Sequence, residues 1–192
     1  VSTLKVVSIK DTKGTVAPAD DKNYLGVETT GLTADLIGLE SILVFHAGGV
    51  TVKVNKATDG AGAASTKLDW DSLGSTGTTG LPLAALVIDS ALDLHADGTV
   101  ALNALSGVLV AQGGFVLDLG QVSTVAANNG LSFTNASAVS ITLSGVNVFV
   151  GTGGSLSDAT STASVVNGSL GFAGSVSTLK VVSIKDTKGT VA

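Results

Sequence analysis

Two histidines, His46 and His95, are the only side chains able to act as a general base near neutral pH. His95 falls in the stripe Asp89, Asp93, His95, Asp97. On a strand these odd-numbered positions share one face, where acid–base or metal chemistry becomes conceivable, although a metal would need a further ligand from another strand. The plainer reading is a solvated strand face. Asp69-Trp70-Asp71 carries the sole tryptophan. On a strand its carboxylates point one way and Trp70 the other, giving either an acid pair for Ca²⁺ or sugar, or a Trp anchored in a core between solvated neighbours. Asp20-Asp21 follows Pro18 in a loop and could join Asp11 in a cation site.

Other chemistries are excluded by composition. The chain has no Cys, so thiolate metal sites, Cys nucleophiles and disulfides are impossible. All ten basic residues are Lys, which removes forked recognition of phosphate. A net charge of −5 is a poor match to nucleic acid. There is no Gly-Lys-Ser/Thr phosphate loop and no G-x-S-x-G elbow. The calcium-binding nonapeptide and the EF-hand loop are missing too, so Ca²⁺ stays open. The expectation is therefore a protein that is not an enzyme, with no catalytic, cofactor-binding or metal residues assigned.

The elements carrying these residues read as strands. Val50-Thr51-Val52-Lys53-Val54, Phe115/Leu117/Leu119 and Val139/Ile141/Leu143 alternate with the period of two expected of a sheet with one buried face. Turns are expected at Gly48, Asp59, Asp97, Gly113, Asn129, Gly153 and Asn167, where Gly-Gly, Asp-Gly and Asn-Gly pairs occur. The alternation changes phase between Leu39 and Ile42, between Leu105 and Val108, and across Ser144-Gly145. Bulges or bends are therefore expected near Ser41, Gly107 and Gly145. Leu81 to Asp97 fits a helix or a strand. Stacked Asp89, Asp93 and Asp97 would repel on a helix face, so strand is preferred.

The strongest feature is internal. Residues 1–17, VSTLKVVSIKDTKGTVA, recur letter for letter at 176–192, an offset of 175. A window on a tandem array is the simplest reading, with 1–175 as one full repeat unit and 176–192 as the start of the next. The two copies should then share backbone conformation and strand partners. A weaker pattern, Leu-x-x-(Ile/Val)-x-Val followed by Gly-Gly, recurs at Leu39, Leu105 and Leu143, at spacings of 66 and 38. Those spacings fit three and two coils of ~20 residues only loosely.

Charge is lopsided: residues 119–157 carry none. No apolar run is long enough for a membrane helix, and seven aromatics cannot build the girdles of a membrane barrel. A neutral Ser/Thr/Gly/Val surface could pack against another copy without desolvating charges, or its strands could be buried on both faces.

Gly98–Gln121, Ser137–Ser157 and Gly48–Gly62 resemble the long repeat regions of giant bacterial surface proteins of the adhesin type. The resemblance implies an extracellular, all-β repeat acting as a stalk, fibre or adhesive extension. The expected fold is an elongated β-solenoid or β-tube with Gly turns and bulges, or tandem β-sandwich domains. The expected function is a structural unit of a secreted or cell-surface filament, joined head to tail by β-strand addition. An adhesive module using Asp69-Trp70-Asp71 and Thr/Ser rows is the alternative. A β-helix lyase is disfavoured because no Arg could stabilise a carbanion. Expected partners are adjacent identical repeats, with lateral self-association possible, no nucleic acid and no membrane insertion.

Overall fold

The computed structural model describes residues 1–14, 20–76, 85–124 and 131–186. The chain is all-β. Strands β1 (Thr3–Asp11), β2 (Lys22–Asp35), β3 (Leu43–Asp59), β4 (Leu92–Ala104), β5 (Leu109–Val122), β6 (Ala136–Thr152) and β9 (Leu170–Lys185) form one antiparallel sheet in that order. A small hairpin, β7 (Ser155–Leu156) with β8 (Val165–Val166), interrupts the meander before β9. Among the described residues the sheet is open, with β1 and β9 as its edges. Neither a solenoid coil nor two comparable stacked sheets forms within it.

Alternation in the sequence becomes two unlike faces. Paired residues of neighbouring strands share a face, so rows can be followed across the sheet. One row is Lys5, Glu28, Lys53, His95, Asp118, Ser140 and Val182. The row beside it, on the opposite face, is Leu4, Thr29, Val52, Ala96, Leu117, Ile141 and Val181. The next row on that second face is Val6, Val27, Val54, Leu94, Leu119, Val139 and Ser183. The sheet is thus charged on one side and apolar on the other.

Both covering segments lie on the charged side. Residues 64–76 and 85–91 cross β1 to β3 and contribute Trp70, Leu86 and Ile88 to a core with Val7. Residues 153–168 cross β4 to β6, burying Ala101, Val110, Phe149 and Ala163. Apart from Val50 and Gly113, every buried strand residue faces these covers.

The irregular cover needs partners for its backbone, and the charged row supplies them. Lys5 Nζ donates to Ala85 O (3.0 Å), and Lys53 Nζ to Val87 O (2.9 Å). Val87 N donates to Glu28 Oε2 (3.1 Å). Asn55, 2% exposed, donates to Leu68 O and Asp89 O at 2.8 Å and accepts from Trp70 Nε1 at 2.9 Å.

Several local expectations change. Gly145 is a bulge, with φ +56 and an extra residue on β6 between Gln112 and Gly114 of β5. Ser41 and Gly107 lie instead in hairpin connections, where the phase change comes from reversing direction. Gly48-Gly49, Asp97-Gly98 and Gly113-Gly114 are not turns but mid-strand positions. They line up with the β3 irregularity at Gly49 (φ +61) as a crease across the sheet. Asp59 opens the turn after β3 and Gly153 is a bend after β6, Asn167 lies in the connection from β8 to β9 with no turn assigned, and Asn129 falls outside the described residues. Asp97 and Leu92 lie in β4, but 85–91 is irregular rather than strand, and 81–84 is outside the described residues.

Candidate functional site

The candidate chemical groups are dispersed, and most of them have structural partners. His46 Nδ1 lies 2.6 Å from Asp35 Oδ1 on neighbouring strands. His95 sits between two carboxylates, Asp118 Oδ1 at 2.6 Å from Nδ1 and Asp97 Oδ1 at 2.9 Å from Nε2. The two oxygens approach opposite edges of the ring and do not converge on a point where a cation could sit. No group of three or more such ligands fit for a metal is present among the described residues.

The rest of the stripe separates. Asp93 pairs with Lys67 Nζ (2.6 Å), which also donates to Leu92 O. Asp89 accepts from the backbone of Ala91 and Leu92. The stripe breaks because Asp89 precedes β4. The Asp118 partner was invisible in the sequence, since it comes from β5 and depends on register.

Asp69-Trp70-Asp71 is not on a strand. Asp69 caps a short helix, α1 (Trp70–Thr76), accepting from Ser72 N at 3.2 Å. The carboxylates are therefore not an aligned pair. Trp70 is 3% exposed, so its ring is not presented to a sugar. Asp11 pairs with Lys13 (2.5 Å) and Asp21 with Lys10 (2.9 Å), so these two acids answer lysines rather than a shared cation. The Lys13 ammonium, hydrogen-bonded to Asp11, holds that carboxyl below its usual range.

The repeated segment gives a different kind of site. Its two copies are both strands: Thr3–Asp11 makes β1, and Thr178–Lys185 lies within β9. Their partners differ, contrary to expectation: β1 bonds to β2 and β9 to β6. An even number of antiparallel steps separates them, so they run in the same direction. The row through Lys5 ends at Val182, the copy of Val7, so both copies also present the same face. Two parallel strands with the same facing, bonded on opposite sides, use opposite edges. The edge left free on β9 is the one by which β1 holds β2. The edge left free on β1 is the one by which β9 holds β6.

Register adds a number. Rows starting at Leu4, Lys5 and Val6 end at Val181, Val182 and Ser183, the copies of Val6, Val7 and Ser8. The register slides by two residues per repeat. An odd slide would turn the second copy over.

All of β9 is exposed, including Leu170, Phe172, Leu179 and Val182. A long edge strand whose only charges are Lys180 and Lys185 is a template for further pairing. β2 also outruns β1: it continues to Asp35, while β1 starts at Thr3, opposite Thr30. Among the described residues no helix is long and apolar enough to cross a membrane. No family model, no curated protein and no solved structure matches this chain.

Proposed function

We propose that the chain is a structural repeat of a secreted or cell-surface filament whose sheet continues from one repeat into the next. The second copy of the first strand, held by β6, serves as the first strand of the following repeat and receives that repeat's β2 on its outer edge. The single observation that supports this most is the use of opposite edges by two identical strands with the same facing. Residues 170–175, already strand, would then run along the part of the next β2 that β1 leaves unpaired here.

The architecture that follows is elongated. Each repeat adds six strands at about 4.8 Å each, or about 29 Å along the filament. Twist of about 20° per strand would turn successive repeats by about 120° about the filament axis, giving a twisted ribbon. Covalent succession and backbone ladders carry the load, as befits a stalk. Cofactors and catalysis have no part in this role.

Electron microscopy of an array of several repeats tests it. A smooth filament stepping about 29 Å per repeat is expected. Beads spaced at about 40 Å or more, the diameter of a compact 175-residue domain, would count against it. The adhesive alternative now lacks Trp70 and rests on exposed Ser and Thr rows. Binding to a glycan array by the folded chain would favour it.

A further inference from the structure

We propose that the apolar side of the sheet is an interface with a second copy of this chain, the two packing face to face as the layers of a β-sandwich. This does not depend on the filament reading. Both covering segments lie on the charged side, and nothing among the described residues covers the other. Across seven strands the rows from Leu4 and from Val6 are broken only by Thr29 and Ser183. Leu4 is 64% exposed, Ile141 39% and Val181 51%.

Charge says what the occupant must be. Of the charged strand residues, only Lys10, Lys56 and Lys185 point to this side, all at the end of the sheet where β1 meets Lys22. Glu28, Lys53, His95, Asp97 and Asp118 point the other way. A partner must therefore be apolar over the same extent, and a second copy meets that condition without burying an unpaired charge. Lys10 is already paired with Asp21, so Lys56 and Lys185 fix its orientation. A two-fold axis across the strands sets each lysine end over the opposite end of the partner, whereas an axis along the strands would bring like charges together.

The area is sufficient. Six spacings of about 4.8 Å by about ten residues at about 3.4 Å give roughly 1,000 Å² per face, or roughly 2,000 Å² in total. Stable interfaces bury about 1,200–2,000 Å². Small and β-branched side chains on twisted sheets pack about 10 Å apart in this arrangement.

Sedimentation equilibrium of the full chain tests this, with Leu117→Lys and Ile141→Lys on the apolar side and Ser140→Lys as control on the charged side. A dimer is expected, weakened about a hundredfold or more by either apolar-side lysine and unchanged by the control. Leu117→Thr, which keeps strand propensity, serves if the lysine variants unfold, and should weaken the dimer in the same direction. Hydrogen exchange separates faces from edges: the outer amides of β9 should remain unprotected in the dimer. A folded chain that stays monomeric overturns the proposal, as does uptake onto uncharged lipid vesicles in place of dimerisation. A dimer indifferent to Leu117→Lys, with β9 protected, also overturns it and points to edge pairing, leaving the filament reading intact.

Discussion

Val7 and Val182 are the same residue of the repeated segment, on the same face of one sheet, six strands apart; Val7 is 6% exposed and Val182 62%. The difference is the cover. Val7 packs against Trp70, Leu86 and Ile88, which lie over β1 to β3, while Val182 has no such segment above it. Translation by one repeat would bring the next cover onto Val182 and Ile184.

Val7→Ala should therefore destabilise the chain by about 1–3 kcal/mol, and Val182→Ala by no more than about 0.5. Urea unfolding of both variants reads this directly. Equal costs would mean that Val182 is already covered.

Asn55 ties the cover to the sheet through three hydrogen bonds. Asn55→Ala strands the Trp70 indole N–H and two carbonyls, and should cost about 2–4 kcal/mol. Trp70 is the only tryptophan, so its fluorescence should shift to the red as the cover loosens.

Gly145 and Gly107 both have positive φ but differ in surroundings. A side chain at Gly145 meets open space, so Gly145→Ala should cost only the left-handed backbone, about 1–2 kcal/mol. At Gly107 a Cβ would collide with the Gly154 carbonyl, so Gly107→Ala should cost more and detach the 153–168 segment. Thermal unfolding of the two variants makes the comparison.

Asp11 titrates low because Lys13 donates to it. A carboxyl lowered by folding adds stability above its unfolded value of about 3.9, and that stability fades as pH falls through the folded value. Lys13→Ala removes the ammonium but keeps the backbone N–H of residue 13 on Asp11 Oδ1, so Asp11 should move up only part of the way toward the ordinary range in an NMR titration, and the pH dependence below about pH 4 should weaken. An unmoved Asp11 would contradict the assignment.

How much of this could be read from the sequence depends on what each feature obeys. Alternation such as Val139/Ile141/Leu143 is local, and it gave the strands correctly. The Gly145 phase change is local too. Ser41 and Gly107 show the same signal from hairpin reversals, because alternation cannot tell an inserted residue from a change of direction. Of the Gly-Gly pairs expected as turns, Gly113-Gly114 sits where β6 crowds the crease and Gly48 lies under Ser161 of the cover, both tertiary causes. Trp70 opens a helix because Asp69 caps it and Asn55 holds its indole, and the second of these lies on another strand. His95 with Asp118 depends on register, as does the separation of charged and apolar sides.

The most direct test is amide hydrogen exchange of residues 176–185 in the 192-residue chain and in a chain extended by one further repeat. Continuation of the sheet predicts that outward-facing amides of this strand exchange freely in the first and become protected in the second, with those facing β6 protected in both. Outward-facing amides that exchange at the same rate in both chains would contradict it.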